Sequence, residues 1–203
     1  MNASPPLPST RKELSHERIV EAAARAIRRS GYQGVGVADI MKEAGLTHGG
    51  FYAHFESRDQ MLVEAMQRAG RAGTALLAEH IAQHEAKGAD RFAALVQGYL
   101  DDAQLDNAEC GCMVAALSSE MPRQAEAVRE EACLRVMALI QMVRGALPEG
   151  ADSSQADAVA ATMVGALQMA RTLGGKAGKA LLARTRDSLL QSQLHSIPSS
   201  RSG

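Results

Sequence analysis

The sequence predicts an all-α protein of about nine helices, organised in two parts. Apolar residues recur at spacings of three and four along most of the 203 residues, as on one face of a helix. No segment shows the period-two alternation of a half-buried strand. Four of the six aromatic residues lie before residue 56 (Tyr32, Phe51, Tyr52 and Phe55), which indicates that the two parts have different roles.

Composition limits the class of protein. With 46% apolar and 22% charged residues, the chain can bury an ordinary globular core. No apolar run reaches the length of a membrane span, and the first ten residues do not resemble a secretory signal. Three cysteines, an odd number, fit a reducing compartment, so we expect a cytoplasmic protein with no membrane partner. The net charge of −1 means that binding to DNA requires a local basic face.

The N-terminal part begins with residues 1–13, a Pro- and Ser-containing segment predicted to be a disordered tail. Ser15 is a candidate cap for a first helix that ends at Gly31. Two short helices follow, at about residues 37–44 and 47–54, and they are too short to be stable alone in water. Residues 14–60 are therefore predicted to form one small domain.

The second part, residues 61–195, is predicted to hold the remaining helices, followed by a frayed tail at 196–203. Ser57 and Gln60 have the spacing of a capping box, so a long helix should start there. The helices of this part share an apolar stripe and end at Gly, Pro or a loop. They cover approximately residues 57–86, 92–103, 113–121, 128–143, 156–173 and 176–193.

The two short helices and the tight turn at Gly45 between them describe a helix-turn-helix, whose second helix lies in the major groove of DNA. The stretch that carries this unit is Ile40, Ala44-Gly45-Leu46-Thr47, Gly49-Gly50-Phe51-Tyr52, His54-Phe55, Ser57-Arg58 and Met61-Leu62, and it resembles the DNA-binding domain of TetR-type transcriptional regulators. Residues 111–120 are also similar to a ligand-domain segment of one TetR subgroup.

At the DNA surface we expect small or polar positions that approach the groove or meet phosphates. Tyr52 and His54 have polar tips for phosphate oxygens, and His48 reaches either a base edge or a phosphate. Gly36 stands where the family often has Thr, so one hydroxyl contact is missing. The complete set of expected DNA-binding positions is Gly36, Thr47, His48, Gly49, Gly50, Tyr52, His54 and Arg58.

The resemblance implies a homodimeric repressor that leaves a palindromic double-stranded operator when a small molecule binds its C-terminal domain. It implies no enzyme activity, no catalytic residue and no cofactor. The family's dimer forms through the last two helices, where the expected interface residues are Val159, Met163, Ala166 and Leu167. The residues expected to line the effector pocket are His80, Tyr99, Met113, Leu117, Met137 and Met163.

Other functions are open for three groups of residues. Cys110 and Cys112 are either a thiol sensor or small buried residues, and no basic neighbour in sequence activates them. His80 and His84, at i and i+4, have the spacing of a zinc pair, although the H-E-x-x-H motif of a helical metalloenzyme is absent. Arg171 has two candidate partners, an anionic effector and a carboxylate of the dimer mate.

Overall fold

The computed structural model describes residues 10–106, 109 and 111–196 of the chain. These residues contain α-helices, two 3-10 helices and no strand, which confirms the all-α prediction. The α-helices are α1 (Arg11–Ser30), α2 (Val37–Glu43), α3 (Arg58–Glu85), α4 (Arg91–Tyr99), α5 (Ala103–Asp106), α6 (Met113–Leu117), α7 (Glu126–Arg144), α8 (Gln155–Leu173) and α9 (Gly175–Ser196). The 3-10 helices are His48–Ala53 and Met121–Arg123.

Helix α1 starts earlier than the sequence interpretation placed it. Thr10 is its N-cap: the Glu13 amide donates to Thr10 Oγ1 at 3.2 Å, and the Thr10 amide donates to Glu13 Oε2 at 2.6 Å. This capping box satisfies amides that the first turn leaves without partners, so the helix forms from Arg11. The prediction of a tail through residue 13 is therefore wrong for residues 11–13, and Ser15 is not the cap.

The helix-turn-helix is formed by α2 and the 3-10 helix His48–Ala53. Gly45 has a φ of +69°, which confirms that this turn needs a residue without a Cβ. The second unit is a 3-10 helix rather than an α-helix, and Thr47 makes no side-chain cap bond to it. Gly49 and Gly50 lie in its first turn, and two adjacent glycines disfavour regular α-helix there.

Helix α3 connects the two parts of the molecule. Ser57 caps it as predicted, since the Gln60 amide donates to Ser57 Oγ at 3.1 Å. The return bond differs from a standard capping box, because Gln60 Oε1 accepts from the Glu56 amide at 2.7 Å. With 28 residues, α3 is about 42 Å long at 1.5 Å per residue.

Two hydrophobic cores lie along α3. The first joins α1, α2, the 3-10 helix at 48–53 and the N-terminal half of α3 with parts of α6 and α7. The second joins the C-terminal half of α3, at Leu77 and Ile81, with α4, α6, α7, α8 and α9. A continuous helix that contributes to both cores couples the N-terminal domain to the C-terminal helices.

Two predicted helices of the C-terminal part are each divided. The amphipathic segment 92–103 forms α4 and the short α5, because the chain leaves helical geometry at Leu100. The segment 113–121 forms α6 and the 3-10 helix Met121–Arg123, whose first turn holds Pro122, a residue without an amide hydrogen to donate.

The last helices follow the sequence prediction closely. Ser154, rather than Asp152 or Ser153, is the N-cap of α8, and its amide donates to Asp152 Oδ1 at 2.9 Å. Gly174, with a φ of +65°, ends α8 as predicted. Within the part of the chain that the structure describes, no helix is both long and apolar enough to span a bilayer.

The cap of α3 gives a first prediction. Ser57→Ala should lower the free energy of unfolding by about 1 kcal/mol, because one amide of the first turn loses its partner. Thr47→Ala is the matched control, since Thr47 is also an N-cap residue but makes no side-chain cap bond. Urea denaturation of both variants tests this, and equal losses of stability would show that the Ser57 bond contributes nothing.

Candidate DNA-binding surface and effector pocket

The 3-10 helix His48–Ala53, here called the recognition segment, presents its polar residues to solvent. Thr47, His48 and Gly49 are exposed, and Tyr52 is 77% exposed. Phe51 and Phe55 point the other way, are each 2% exposed, and stack with ring centroids 5.4 Å apart. These two rings anchor a segment that has too few hydrogen bonds to be stable alone.

Two arginines fix the turns on either side of α2. Arg18 Nη2 donates to the Ala44 carbonyl at the end of α2, and a Cβ on Gly45 would lie 2.7 Å from that nitrogen. A side chain at position 45 would displace this flexible guanidinium, and the positive φ of Gly45 is what favours glycine there. Nothing in the local sequence marks Arg18 for this role, because it lies on α1, far from the turn in the chain.

Arg58 is the second of these arginines. Its Nη2 donates to the Tyr32 carbonyl and lies 3.5 Å from the Val35 carbonyl, so it holds the loop between α1 and α2. The expectation that Arg58 binds a phosphate is not supported, because this guanidinium nitrogen is directed at the protein's own backbone. Gly36 is exposed and caps α2 without any side-chain bond.

His54 is half-buried behind the recognition segment. Its ring lies 5.9 Å from the ring of His16, and its Nδ1 is buried without a hydrogen-bond partner. Burial, together with the nearby charges of His16 and Lys12, lowers the pKa of His54 below its ordinary value. A neutral imidazole at pH 7 donates at most one ordinary hydrogen bond, so any phosphate contact by His54 is uncharged.

A cavity lies between α3, α4, α6 and α7, with an empty volume of about 640 Å³ that includes its opening to solvent. Its walls are mostly apolar or small. The lining residues are Ala69, Gly70, Gly73, Thr74, Leu76, Leu77, Tyr99, Gln104, Gly111, Cys112, Met113, Val114, Arg135, Ala138, Leu139 and Met142.

Of the six residues predicted to line the pocket, Tyr99 and Met113 do so. Leu117 and Met163 are buried in the two cores and do not reach the cavity. Met137 is 55% exposed, because α7 turns positions 135, 138, 139 and 142 to the cavity and 137 to solvent. His80 is half-buried on α3 and is not among the lining residues.

One end of the cavity is polar. This polar end consists of Tyr99, Gln104, Cys112 and, immediately behind them, Arg171 of α8. Tyr99 is 2% exposed, and its hydroxyl lies beside the Cys112 thiol with no oxygen or nitrogen partner. Burial raises the pKa of Tyr99 well above its ordinary value, so the hydroxyl keeps its proton and is available as a donor.

Arg171 is a half-buried cation whose two terminal nitrogens are themselves buried. Its Nε donates to the Gln104 carbonyl at 3.2 Å, while Nη1 and Nη2 are buried and have no hydrogen-bond partner. Burial lowers the pKa of Arg171, although a guanidinium remains charged at neutral pH. By contrast, Arg135 on another wall has its Nε 2.8 Å from Glu131, which is itself 5% exposed.

The cysteines and histidines considered for thiol or metal sensing do not form a complete sensor site among the described residues. Cys112 lines the cavity and Cys133 is exposed, both as free thiols, while Cys110 lies outside the described residues. His80 and His84 lie on α3. No group of three His, Cys, Asp or Glu side chains suited to a metal ion occurs in the described ranges.

The residues predicted for the dimer interface are wrong. Val159, Met163, Ala166 and Leu167 are all buried in the protomer's own second core. Their apolar stripe packs against helices of the same chain and is not available to a partner. The outer face of α8 instead carries Ala158, Ala161, Thr162, Gly165, Met169, Thr172 and Leu173.

One segment links the cavity to the DNA-binding domain. Residues 112–114 form part of the cavity wall, and Glu120, just beyond α6, accepts a hydrogen bond from the Tyr32 amide at 3.0 Å. Gly31, with a φ of +73°, makes room for this carboxylate at the end of α1. The segment that forms this wall is thus in direct contact with the end of the helix that supports the recognition segment.

Comparisons with known proteins agree with this geometry. The family model described as bacterial regulatory proteins, tetR family, matches residues 19–65 of this chain. An uncharacterized HTH-type transcriptional regulator of Mycobacterium tuberculosis is 32% identical over 108 residues, covering 51% of this chain and 52% of that protein. The chain thus spans about half the length of this relative. The transcriptional repressor NemR of Escherichia coli K12 is 24% identical over 139 residues, covering 68% and 70%.

Solved structures extend the likeness to the whole fold. A TetR-family regulator from Agrobacterium tumefaciens has a TM-score of 0.73 at 22% identity, covering 89% of this chain and 98% of that one. The reduced form of E. coli NemR has a TM-score of 0.69 at 19% identity, covering 85% and 95%. At these identities the likeness establishes the fold.

Proposed function

We propose, from the premise that the chain belongs to the TetR family, that it is a homodimeric transcriptional repressor released from its operator by a small molecule. The observation that carries this proposal is the recognition segment itself. It is exposed on its polar side, anchored by Phe51 and Phe55 on the other, and held between turns fixed by Arg18 and Arg58. Such an element fits the major groove of DNA.

In this proposal the recognition segment enters the groove with its N-terminus first. Thr47, His48 and Gly49 are exposed there, and the absence of a Cβ on Gly49 lets the backbone approach closely. His48 faces base edges or phosphates, and the Tyr52 hydroxyl donates to a phosphate oxygen. The role of Arg58 is to position the turn, so it is not among the proposed DNA contacts.

The dimer is proposed to form through the outer face of α8, with α9 beside it. Small residues such as Ala161 and Gly165 allow close approach of two helices, and Met169 and Leu173 supply exposed apolar surface. A two-fold axis there gives two recognition segments. For a palindromic site, these must lie about 34–36 Å apart to enter successive major grooves.

Release from DNA is proposed to follow occupation of the cavity. A ligand shifts the equilibrium only if it binds one conformation better than the other. The cavity wall at residues 112–114 and the Glu120–Tyr32 hydrogen bond give such a ligand a direct path to α1. A ligand that moves this wall reorients the N-terminal domain, and the two recognition segments then no longer fit both half-sites.

A first test concerns the proposed contact between the Tyr52 hydroxyl and a DNA phosphate. Tyr52→Phe should weaken specific binding by about tenfold for each half-site, because it removes a hydrogen bond to a charged phosphate. Since a tyrosine hydroxyl is neutral, the salt dependence should stay almost unchanged. The measurement is fluorescence anisotropy at about 150 mM salt on the intergenic DNA upstream of the coding sequence, with random duplex as reference.

Tyr32→Phe is the matched control for this test, because Tyr32 is fully buried and its hydroxyl contacts Met66. It should bind the DNA as the parent protein does. Equal affinity of the Tyr52→Phe variant and the parent protein would remove Tyr52 from the proposed interface.

A second test addresses the dimer with a pair of exposed methionines. Met169→Glu, on the outer face of α8, should yield monomers in size-exclusion chromatography with light scattering, because two buried carboxylates would face each other across the axis. Met137→Glu, on the exposed side of α7, is equally exposed and should leave the dimer intact. Dissociation by Met137→Glu alone would move the interface to α7.

A second candidate function is detection of electrophiles by Cys112. The favouring observation is that this thiol lines the cavity, where an entering molecule meets it. In such a reaction the sulfur adds across the double bond of a reagent such as N-ethylmaleimide and the proton moves to the adjacent carbon. Cys112→Ser should keep DNA binding and lose release by this reagent, whereas Cys133→Ser should behave as the parent. Release of the Cys112→Ser variant would reject the candidate.

A further inference from the structure

A positive charge, that of Arg171, lies immediately behind the residues that line the polar end of the cavity, and this restricts the class of molecule that fits there. The inference rests on the proposed function and concerns its effector. Arg171 carries a full positive charge, and its Nη1 and Nη2 atoms are buried without partners. Burying an unpaired charge is costly, so a site that does so is organised for a ligand that supplies the opposite charge.

The neighbours of Arg171 add to the excess of hydrogen-bond donors over acceptors at this end of the cavity. The Tyr99 hydroxyl is a second buried donor with no oxygen or nitrogen acceptor. The backbone carbonyl of Gln104 accepts a hydrogen bond from Arg171 Nε, so this acceptor is already occupied. The polar end therefore has an excess of donors, whereas nearly all buried polar groups in folded proteins have partners.

Two other partly buried arginines, Arg186 and Arg135, do not share this situation. Arg186 Nη1 donates to the Leu100 carbonyl and lies 3.6 Å from Asp102, and Arg135 is paired with Glu131. Asp102, an acid of the same region, is thus already paired with Arg186.

The rest of the cavity selects for an apolar body. Leu76, Leu77, Val114, Leu139 and Met142 lie along its walls. We propose that the effector is a small amphiphilic carboxylic acid, bound as the anion. Its carboxylate meets Arg171 and the Tyr99 hydroxyl at the polar end, and its hydrocarbon part occupies the apolar remainder of the cavity. A guanidinium binds a carboxylate through two parallel hydrogen bonds.

The probes are the anions of n-alkanoic acids of increasing length, hexanoate and octanoate, and 4-phenylbutyrate. Each is compared with the alcohol and the amine of the same carbon skeleton. Isothermal titration of the full-length dimer at pH 7.5 should give a Kd at least about tenfold lower for the best carboxylate than for its alcohol, because only the anion pairs with Arg171. The amine should be the weakest ligand of each set.

Substitutions of Arg171 and Tyr99 test whether these residues bind the carboxylate. Arg171→Gln should remove the advantage of carboxylate over alcohol, and Tyr99→Phe should reduce it several-fold. Arg171→Lys, which keeps the charge, should retain part of it. Arg144→Gln is the control, because Arg144 is an arginine at the surface paired with Asp157. If Arg171→Gln does not fold, the Lys variant and Tyr99→Phe still decide the outcome.

The proposal is overturned if no carboxylate binds more tightly than its alcohol, or if the Arg171→Gln variant keeps the full selectivity. These failures differ from failure of the proposed function. Specific DNA binding by the same preparation, measured by anisotropy without any ligand, remains intact when only the effector class is wrong. Selective carboxylate binding by a protein that prefers no DNA sequence would reject the repressor function instead.

Discussion

The arrangement of the N-terminal domain depends on one constraint: the recognition segment is too short to be helical alone, so residues packed behind it must hold it in place. Phe51 and Phe55 supply the apolar anchor, and they pack into a core that α1 and the start of α3 share. Arg18 and Arg58 then fix the turns on either side of α2 through backbone carbonyls. The surface offered to DNA therefore follows the orientation of α1 and α3, and whatever moves these helices changes the fit.

The C-terminal helices act on this arrangement through two connections. Helix α3 contributes to both cores and so couples the N-terminal domain to the C-terminal helices. Glu120 connects the cavity wall to the end of α1 by a hydrogen bond to the Tyr32 amide. A cavity with an unpaired cation at one end lies beside this connection. In the proposed mechanism, binding energy gained at Arg171 favours one orientation of the N-terminal domain over another.

Much of the fold was accessible from the sequence, because helical periodicity, the Ser57 cap and the glycines at turns act locally. The position of the recognition segment can be predicted from the sequence for the same reason. The errors arise where distant residues meet. An apolar stripe on α8 fits a core and an interface equally well in sequence, and only the packing shows that Met163 is internal. The exposure of Met137 and the commitment of Arg58 to the backbone likewise depend on neighbours far away in the chain.

The most direct test of the central claim is selection of bound duplexes from a random DNA library by the full-length protein, followed by determination of the number of chains on the selected duplex. The account predicts a palindromic sequence with half-site centres about one helical turn apart, occupied by two chains. Enrichment of no sequence, or of a single half-site bound by one chain, would contradict it.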